Sequence, residues 1–430
     1  MTTPSPIDVL YGSAHQAQLD RCLHCGLCLS VCPTYALSGI ESEAPRGRIH
    51  LMRAVAEGRI GLDDPALTTH LDTCLVCRAC ELACPSGVHY GELVEVTRAA
   101  LAATHRPGRL ARFARWAGLR QLMPYPRRLR VLALGAWFYE RSGLQALARR
   151  SGLLRGRLGA IEALAPPVRL RRSPDGRTFP PRGQTRGRVA VVQGCIQEAF
   201  LGQVNDATVR VLQRNGYEVL VPRGQTCCGA AHVHNGEEEL ARQLARQNID
   251  ALLALEVDAI ISNAGGCGAT LKSYADLLRD DADYRTRVAA FVAKVRDISE
   301  FLAERAVEPP RATLPARATY VDSCHLRNVQ KVVQQPRALL RSIPGLELVE
   351  LRQPERCCGS AGVYNLVHPE LAGPILDAKM ADIKATGAEI VVVSNTGCHM
   401  QILAGVRRAG LPARVMHVVE VLDEAYRREG

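Results

Sequence analysis

Eight cysteines within the first 84 residues carry the sharpest chemical signal. Cys22, Cys25, Cys28 and Cys32 follow the spacing C-x2-C-x2-C-x3-C and precede Pro33; Cys74, Cys77, Cys80 and Cys84 repeat it before Pro85. Three thiolates two residues apart wrap a tight turn around three corners of a cubane. The fourth, displaced by three residues and a proline, points to the neighbouring cluster. The spacing predicts two 4Fe–4S clusters, one on Cys22, Cys25, Cys28 and Cys84, the other on Cys74, Cys77, Cys80 and Cys32. Zinc also takes four thiolates, but its sites pair two well-separated C-x2-C arms, so two full copies of this run favour iron–sulfur. Such clusters move one electron at a time, which makes the domain a relay with no catalytic residue.

The other eight cysteines record a duplication. Cys195, Cys227, Cys228 and Cys267 superimpose on Cys324, Cys357, Cys358 and Cys398 at offsets of 129, 130, 130 and 131. Cys227-Cys228-Gly229-Ala230 matches Cys357-Cys358-Gly359-Ser360, and Ser262-Asn263 matches Ser394-Asn395. A unit of about 130 residues is domain-sized, so the repeat reads as two tandem domains and not a solenoid. Each set of four thiols offers a further iron–sulfur site or a redox-active dithiol. Four small buried apolar residues per unit is the bland reading, and the matching Cys-Cys-Gly pairs weigh against it. His232, His234, His325 and His399 lie nearby as ligands or proton carriers; taken singly, each suits a core or surface role.

The elements that must position these thiols read as α/β. Arg188–Gln193, Tyr217–Val221 and Ala259–Ser262 are apolar, strand-like runs, repeated at Ala318–Asp322, Glu347–Leu351 and Ile390–Ser394. Helical patterns occupy Asp206–Asn215 and Glu237–Leu255, then Gln335–Ser342 and Pro369–Thr386. Alternating strands and helices imply mostly parallel sheets. Cysteines placed just after strands would then meet at the strand ends, where such sheets bind ligands. Between the ferredoxin-type runs, Arg46–Glu57 carries a helical pattern, so the first domain is partly helical. The expected fold is multidomain α/β: a two-cluster ferredoxin-like domain (1–105), an Arg-rich helical linker (106–187), and two Cys-Cys-Gly domains (188–310 and 311–430).

The chain has 430 residues and a net charge of +11. Residues 106–188 contain 20 Arg, no Lys and three acids, a local +17 that leaves the remainder at −6. A charge confined to one segment argues against a nucleic-acid partner. Arg109–Met123 reads as a basic amphipathic helix with Leu110, Phe113, Ala114 and Ala117 on one side, suited to an anionic membrane surface or to an acidic partner subunit. No apolar run reaches the roughly 18–20 residues of a membrane span, and Met1–Leu10 lacks the features of a secretory signal. The expected location is the cytoplasm, with peripheral attachment to the inner face of the cell membrane as the alternative. Sixteen cysteines there suit metal or redox chemistry better than disulfides. No strand–GxGxxG–helix unit and no Walker A run occurs, so no flavin, nicotinamide or nucleotide site is expected on this chain.

The motifs Cys22–Pro33 (CLHCGLCLSVCP), Cys74–Gly87 (CLVCRACELACPSG) and Cys357–Gly362 (CCGSAG), with the stretch from Glu43 to Arg48, resemble the iron–sulfur subunits of bacterial glycolate oxidase essentially end to end. The resemblance implies an electron-transfer subunit of a flavin-dependent 2-hydroxy-acid dehydrogenase. Flavoprotein partners would oxidise glycolate to glyoxylate, and this chain would pass electrons toward a respiratory acceptor such as a quinone. The Cys-Cys-Gly repeat also resembles heterodisulfide reductases, anaerobic glycerol-3-phosphate dehydrogenase and lactate-oxidation proteins, which keeps related dehydrogenases, or a disulfide or quinone reductase, as the alternative. Heterodisulfide reductases usually end the repeat in C-x2-C; here Thr270 and Gln401 stand where that last cysteine would be.

Overall fold

The computed structural model describes residues 12–104, 108–152, 154, 156–305 and 307–429. The reading of Met1–Leu10 lies outside them. The N-terminal part is built from short helices: α1 (Ser13–Asp20), α2 (Pro33–Ser38), α3 (Pro45–Ala56), α4 (Pro65–Asp72), α5 (Ala79–Leu82) and α6 (Tyr90–Thr104). Proline opens α2, α3 and α4, where its missing N–H costs no hydrogen bond. α3 matches the expected helix within one residue at each end. It buries Ile49, Met52 and Val55 against Leu67 and Leu71 of α4 and Leu93 and Val94 of α6.

The Arg-rich segment is helical throughout most of its first half. α7 (Arg109–Arg115) runs directly into a π-helical stretch (Trp116–Leu122), followed by α8 (Pro126–Arg141), α9 (Leu144–Arg150) and α10 (Arg157–Leu164). The expected apolar side does not pack: Leu110 and Phe113 are 82% and 61% exposed. Burial falls instead on Leu119 in the widened π turn, which rests against the first cysteine-rich unit. No helix among the described residues is long and apolar enough to cross a membrane.

Two sheets follow. Strands β1 (Thr178–Phe179), β2 (Gly187–Val192), β3 (Tyr217–Leu220), β4 (Ala259–Ser262) and β5 (Val295–Asp297) lie in the order β1-β3-β2-β4-β5, with only β1 antiparallel to its neighbour. Strands β6 (Ala316–Tyr320), β7 (Leu346–Leu348), β8 (Ile390–Val393) and β9 (Arg414–His417) repeat the parallel part in the order β7-β6-β8-β9. Register repeats as well, with Val189 opposite Ala259 in one sheet and Ala318 opposite Ile390 in the other. β1, β5 and β9 are absent from the sequence reading because they are two to four residues long and carry polar or charged residues.

Helices of the first unit are α11 (Cys195–Phe200), α12 (Gly202–Arg214), α13 (Ala230–His234), α14 (Glu238–Leu253), α15 (Gly265–Lys272), α16 (Tyr274–Leu277), α17 (Arg285–Lys294) and α18 (Ile298–Glu304). Those of the second are a π-helical turn (His325–Val329), α19 (Gln334–Arg341), α20 (Tyr364–Val367), α21 (Pro369–Thr386), α22 (Thr396–Arg408) and α23 (Val418–Arg427). The sheets share one apolar core, in which Val189, Val191 and Ile261 join Ala318, Ile390 and Val392. α12 and α23 pack across it, tied by a bidentate Arg210–Asp423 pair at 2.8 and 2.7 Å. The outer face of each sheet has its own core.

Candidate redox sites

The N-terminal cysteines line two adjoining cavities. Cys22, Cys25, Cys28 and Cys84 face the first, together with Cys80. Cys32, Cys74, Cys77 and Cys80 face the second. Each C-x2-C-x2-C loop wraps by the same backbone device. His24 and Gly26 in one, and Val76 and Arg78 at the equivalent positions of the other, take positive φ of 54°, 86°, 49° and 58°. A side chain in that region costs of order 1–3 kcal/mol, and Val76 and Arg78 bear it without glycine's freedom. The turn brings the Val76 amide to within 3.4 Å of Cys74 Sγ.

Around the second cavity Cys32, Cys74 and Cys80 are buried, and the sulfurs of Cys32 and Cys74 are hydrogen-bonded. Thr34 Oγ1 lies 3.2 Å from Cys32 Sγ, and Tyr90 donates to Cys74 Sγ at 3.5 Å. Arg48, only 1% exposed, donates to Thr34 Oγ1 (3.2 Å), Glu43 Oε2 (2.7 Å), Thr73 Oγ1 (3.0 Å) and the His70 carbonyl (2.6 Å). Burial opposes its charge, but Cys74, Tyr90, Cys32 and Glu43 hold its pKa above the ordinary value. Burial pushes the Cys77 and Cys80 thiols well up. Thiols crowded in a buried pocket beside a fixed cation fit a group that takes thiolates and brings its own iron charge.

Strand ends bring the remaining cysteines together as two linear sets. Cys195 Sγ lies 3.4 Å from Cys227 Sγ, and hydrogen bonds continue from Cys227 to Cys228 and from Cys228 to Cys267. Donation from Cys227 and Cys267 holds Cys228 well below the usual thiol range, while its two neighbours are pushed up. In the second unit the contacts run Cys324–Cys357–Cys358–Cys398. Cys195 and Cys267 begin or lie within the helices after β2 and β4, the switch point of the sheet.

The second unit also touches the second ferredoxin-type loop. Cys77 and Cys324 pack in one cluster with Leu75 and Cys357. His325 Nε2 lies 3.0 Å from the Val76 carbonyl, and Asn328 Nδ2 donates to the Cys77 carbonyl at 2.7 Å. The first unit faces the linker instead: Cys195 and Cys227 pack with Leu122, Met123 and Leu129, and His232 Nε2 lies 2.7 Å from the Leu119 carbonyl. The histidines thus join parts of the chain. His234 pairs with Glu95 at 2.9 Å, and burial pushes His325 and His399 down to about 4. Many linker arginines close onto the chain's own acids, among them Arg120 on Glu237 (2.7 Å), Arg171 on Asp206 (2.7 Å) and Arg149 on Glu162 (2.8 Å).

Sequence reasoning missed Arg48, Thr34, Tyr90 and Asn328. It had one usable signal, the repeated Ser-Asn before Cys267 and Cys398. Asn395 Oδ1 accepts from the Gly266 amide at 2.9 Å and so ties the two thiol sets together. Asn263 joins a buried network with Asn205 and Thr208.

Comparison with known proteins agrees with this architecture. Residues 18–88 match the model of a 4Fe-4S dicluster domain, and residues 189–272 and 318–403 that of a cysteine-rich domain. Residues 110–165 match the linker region of the glycolate oxidase iron–sulfur subunit. The chain is 43% identical to the protein named "Probable glycolate oxidase iron-sulfur subunit" of Bacillus subtilis, over 95% of this chain and 94% of that one. It is 33% identical to the glycolate oxidase iron–sulfur subunit of Escherichia coli, over 96% and 95%. A hypothetical protein from Helicobacter pylori shares the fold, with a TM-score of 0.55 at 8% identity, covering 98% of this chain and 76% of that one. By its cysteine pattern, its duplicated sheets and these full-length relatives, the chain belongs to the family of glycolate oxidase iron–sulfur subunits.

Proposed function

We propose that this chain is the electron-conducting subunit of a flavin-dependent 2-hydroxy-acid dehydrogenase, with glycolate as the substrate of the assembled complex. Cys22, Cys25, Cys28 and Cys84 hold one 4Fe–4S cluster; Cys74, Cys77, Cys80 and Cys32 hold the other. When bound, such clusters supply one-electron transfer. The eight Cys-Cys-Gly cysteines hold a further redox centre, and the chain oxidises no organic substrate itself. Flavoprotein subunits are its partners, and its four parts follow the boundaries given above.

One observation carries this reading: thiol-lined cavities stand in series. The first adjoins the second through Cys80, and the second meets the thiols of the second unit through Cys77 and Cys324. In this arrangement Tyr90, Thr34 and the Val76 amide orient sulfur, and α3, α4 and α6 exclude water. Exposed Leu110, Phe113 and Trp116 beside Arg109 and Arg112 supply the surface for a partner or an anionic membrane. The test is to assay the purified chain for glycolate oxidation with an artificial acceptor, alone and with its flavoprotein subunits. Turnover is expected only in the mixture; turnover by the chain alone overturns the proposal.

A further inference from the structure

The two ferredoxin-type loops match position for position, yet only one of them is covered. Cys22-Leu23-His24-Cys25 in the first corresponds to Cys74-Leu75-Val76-Cys77 in the second. Leu75 is 6% exposed and packs with Tyr364, Ala372 and Ile375 of the second unit. Leu23, at the same position of the first loop, is 75% exposed. The Cys77 carbonyl accepts from Asn328 Nδ2 at 2.7 Å. The Cys25 carbonyl has no donor among the described residues. Of the sixteen cysteines, only Cys25 is exposed.

The uncovered loop is nonetheless pinned. Arg46 Nη1 donates to the His24 carbonyl at 3.0 Å, and Glu41 fixes the same guanidinium from the other side. Arg53 donates to the Leu19 carbonyl, just before the loop begins. A β-carbon on Gly26 would lie 2.7 Å from Arg46 Nη1, so the backbone sits directly on its brace. Leu27, which borders the first cavity, and Leu82, between Cys80 and Cys84, are exposed as well. Outward leucines on a braced loop lose little freedom when a partner covers them.

The fold restricts what can do the covering. The second loop already occupies the face of the second unit over Cys324 and Cys357. The linker residues Leu122, Met123 and Leu129 occupy the matching face of the first unit, over Cys195 and Cys227. A second copy of this chain therefore has no free Cys-Cys-Gly face to offer. An apolar phase would take the leucines but leave the Cys25 carbonyl buried and unpaired, which is unfavourable. Arg21, next to Cys22, and Arg53, 3.5 Å from His24 Nε2, make no ion pair among the described residues. The loop's edge is thus suited to acidic side chains.

We infer that the Cys22–Cys28 loop is the port on which the flavoprotein subunit docks, offering an apolar socket for Leu23, an N–H donor for the Cys25 carbonyl and an acidic rim. The second unit's grip on Leu75 and the Cys77 carbonyl is the pattern for this contact. The inference rests on the electron-conducting reading and deepens it by fixing which end of the relay faces the donor. One electron per step passes from the partner's reduced flavin to the cluster on Cys22, Cys25, Cys28 and Cys84, with no bond made or broken. The thiols of the second unit mark the far end.

The test uses the full chain with its iron, mixed anaerobically with its flavoprotein subunits. The photo-crosslinking residue p-benzoylphenylalanine replaces Leu23, and the adduct is mapped. Label is expected on a flavoprotein subunit; label on lipid, on a second copy of this chain or nowhere overturns the port. Leu23→Glu should slow glycolate-driven reduction of this chain, followed by stopped flow at subsaturating partner, by at least about tenfold, the scale of a central apolar anchor. Val131→Glu, on an exposed stretch of α8, should leave the rate unchanged. An unchanged rate in iron-replete Leu23→Glu protein, or equal slowing by Val131→Glu, overturns the port. If Leu23→Glu loses iron, Leu27→Glu decides by the same rate. The crosslink needs no electron to move. Label on the flavoprotein without glycolate-driven reduction would therefore leave the port standing and remove the conducting role. Reduction that persists with label elsewhere would do the reverse.

Discussion

Replacing Arg48 by Met separates what this buried cation does for folding from what it does for redox chemistry. Arg48 is hydrogen-bonded to Thr34 Oγ1 at 3.2 Å, and that oxygen lies 3.2 Å from Cys32 Sγ, so the guanidinium is at most about 6.4 Å from the sulfur. At an effective dielectric of about 20, a unit charge at that distance is worth roughly 2.6 kcal/mol. For one electron that is about 110 mV. Loss of the cation should lower the potential of the cluster held by Cys32, Cys74, Cys77 and Cys80 by about this amount, because the reduced state loses a neighbouring positive charge. The same change leaves Glu43 buried with only His70 and Thr73, a loss of roughly 3 kcal/mol or more. Arg48→Lys keeps the charge, so it should cost stability yet hold the potential near wild type. The assay is an EPR-monitored redox titration with iron content measured in parallel. A potential within about 20 mV of wild type in iron-replete Arg48→Met protein would refute the electrostatic argument.

Cys84→Ser should disturb the cluster whose other ligands lie more than fifty residues upstream, and leave the signal of the Cys74–Cys77–Cys80 cluster. If the second signal is lost instead, the crossed ligation is wrong. His417 is buried and pushed down to about 3, mainly by desolvation, with Nδ1 accepting from the Val419 amide. A depressed histidine contributes stability that is present above about pH 6.5 and is lost as pH falls toward 3. His417→Asn keeps a capping acceptor, so the unfolding free energy from urea titration should fall less between pH 6.5 and 4, by up to about 1.4 kcal/mol per pH unit; an unchanged slope would contradict this. The packing of Cys77 against Cys324 predicts magnetic interaction between the second cluster and any centre on Cys324, Cys357, Cys358 and Cys398, seen as EPR broadening that Cys324→Ser relieves. Broadening that persists in this variant would place that centre elsewhere.

The central strands and long helices were legible because they are apolar runs or strongly periodic. Ala259–Ser262 and Pro369–Thr386 match the expected residues. Cysteine spacing was legible because cluster geometry demands it. The short edge strands β5 and β9 were not, since three or four residues held by a sheet edge leave no periodic trace. Nor was the fate of the arginines. Net charge in a segment does not say that Arg120 and Arg171 fold back onto Glu237 and Asp206. The π turn at Trp116–Leu122 also escaped notice, and with it the outward turn of Leu110 and Phe113, because its widened winding depends on tertiary contact with His232. Arg48 was visible only as the end of the Glu43–Arg48 stretch that carries the resemblance; its burial depends on Glu43, Thr34 and Thr73 closing around it.

Iron and acid-labile sulfide per chain, measured with EPR on anaerobically purified protein, test the central claim most directly. The account predicts at least about eight iron and eight sulfide with two interacting signals on reduction, and about twelve or more if the Cys-Cys-Gly thiols hold a further cluster. Zinc in place of iron, or four iron with a single isolated signal, would contradict it.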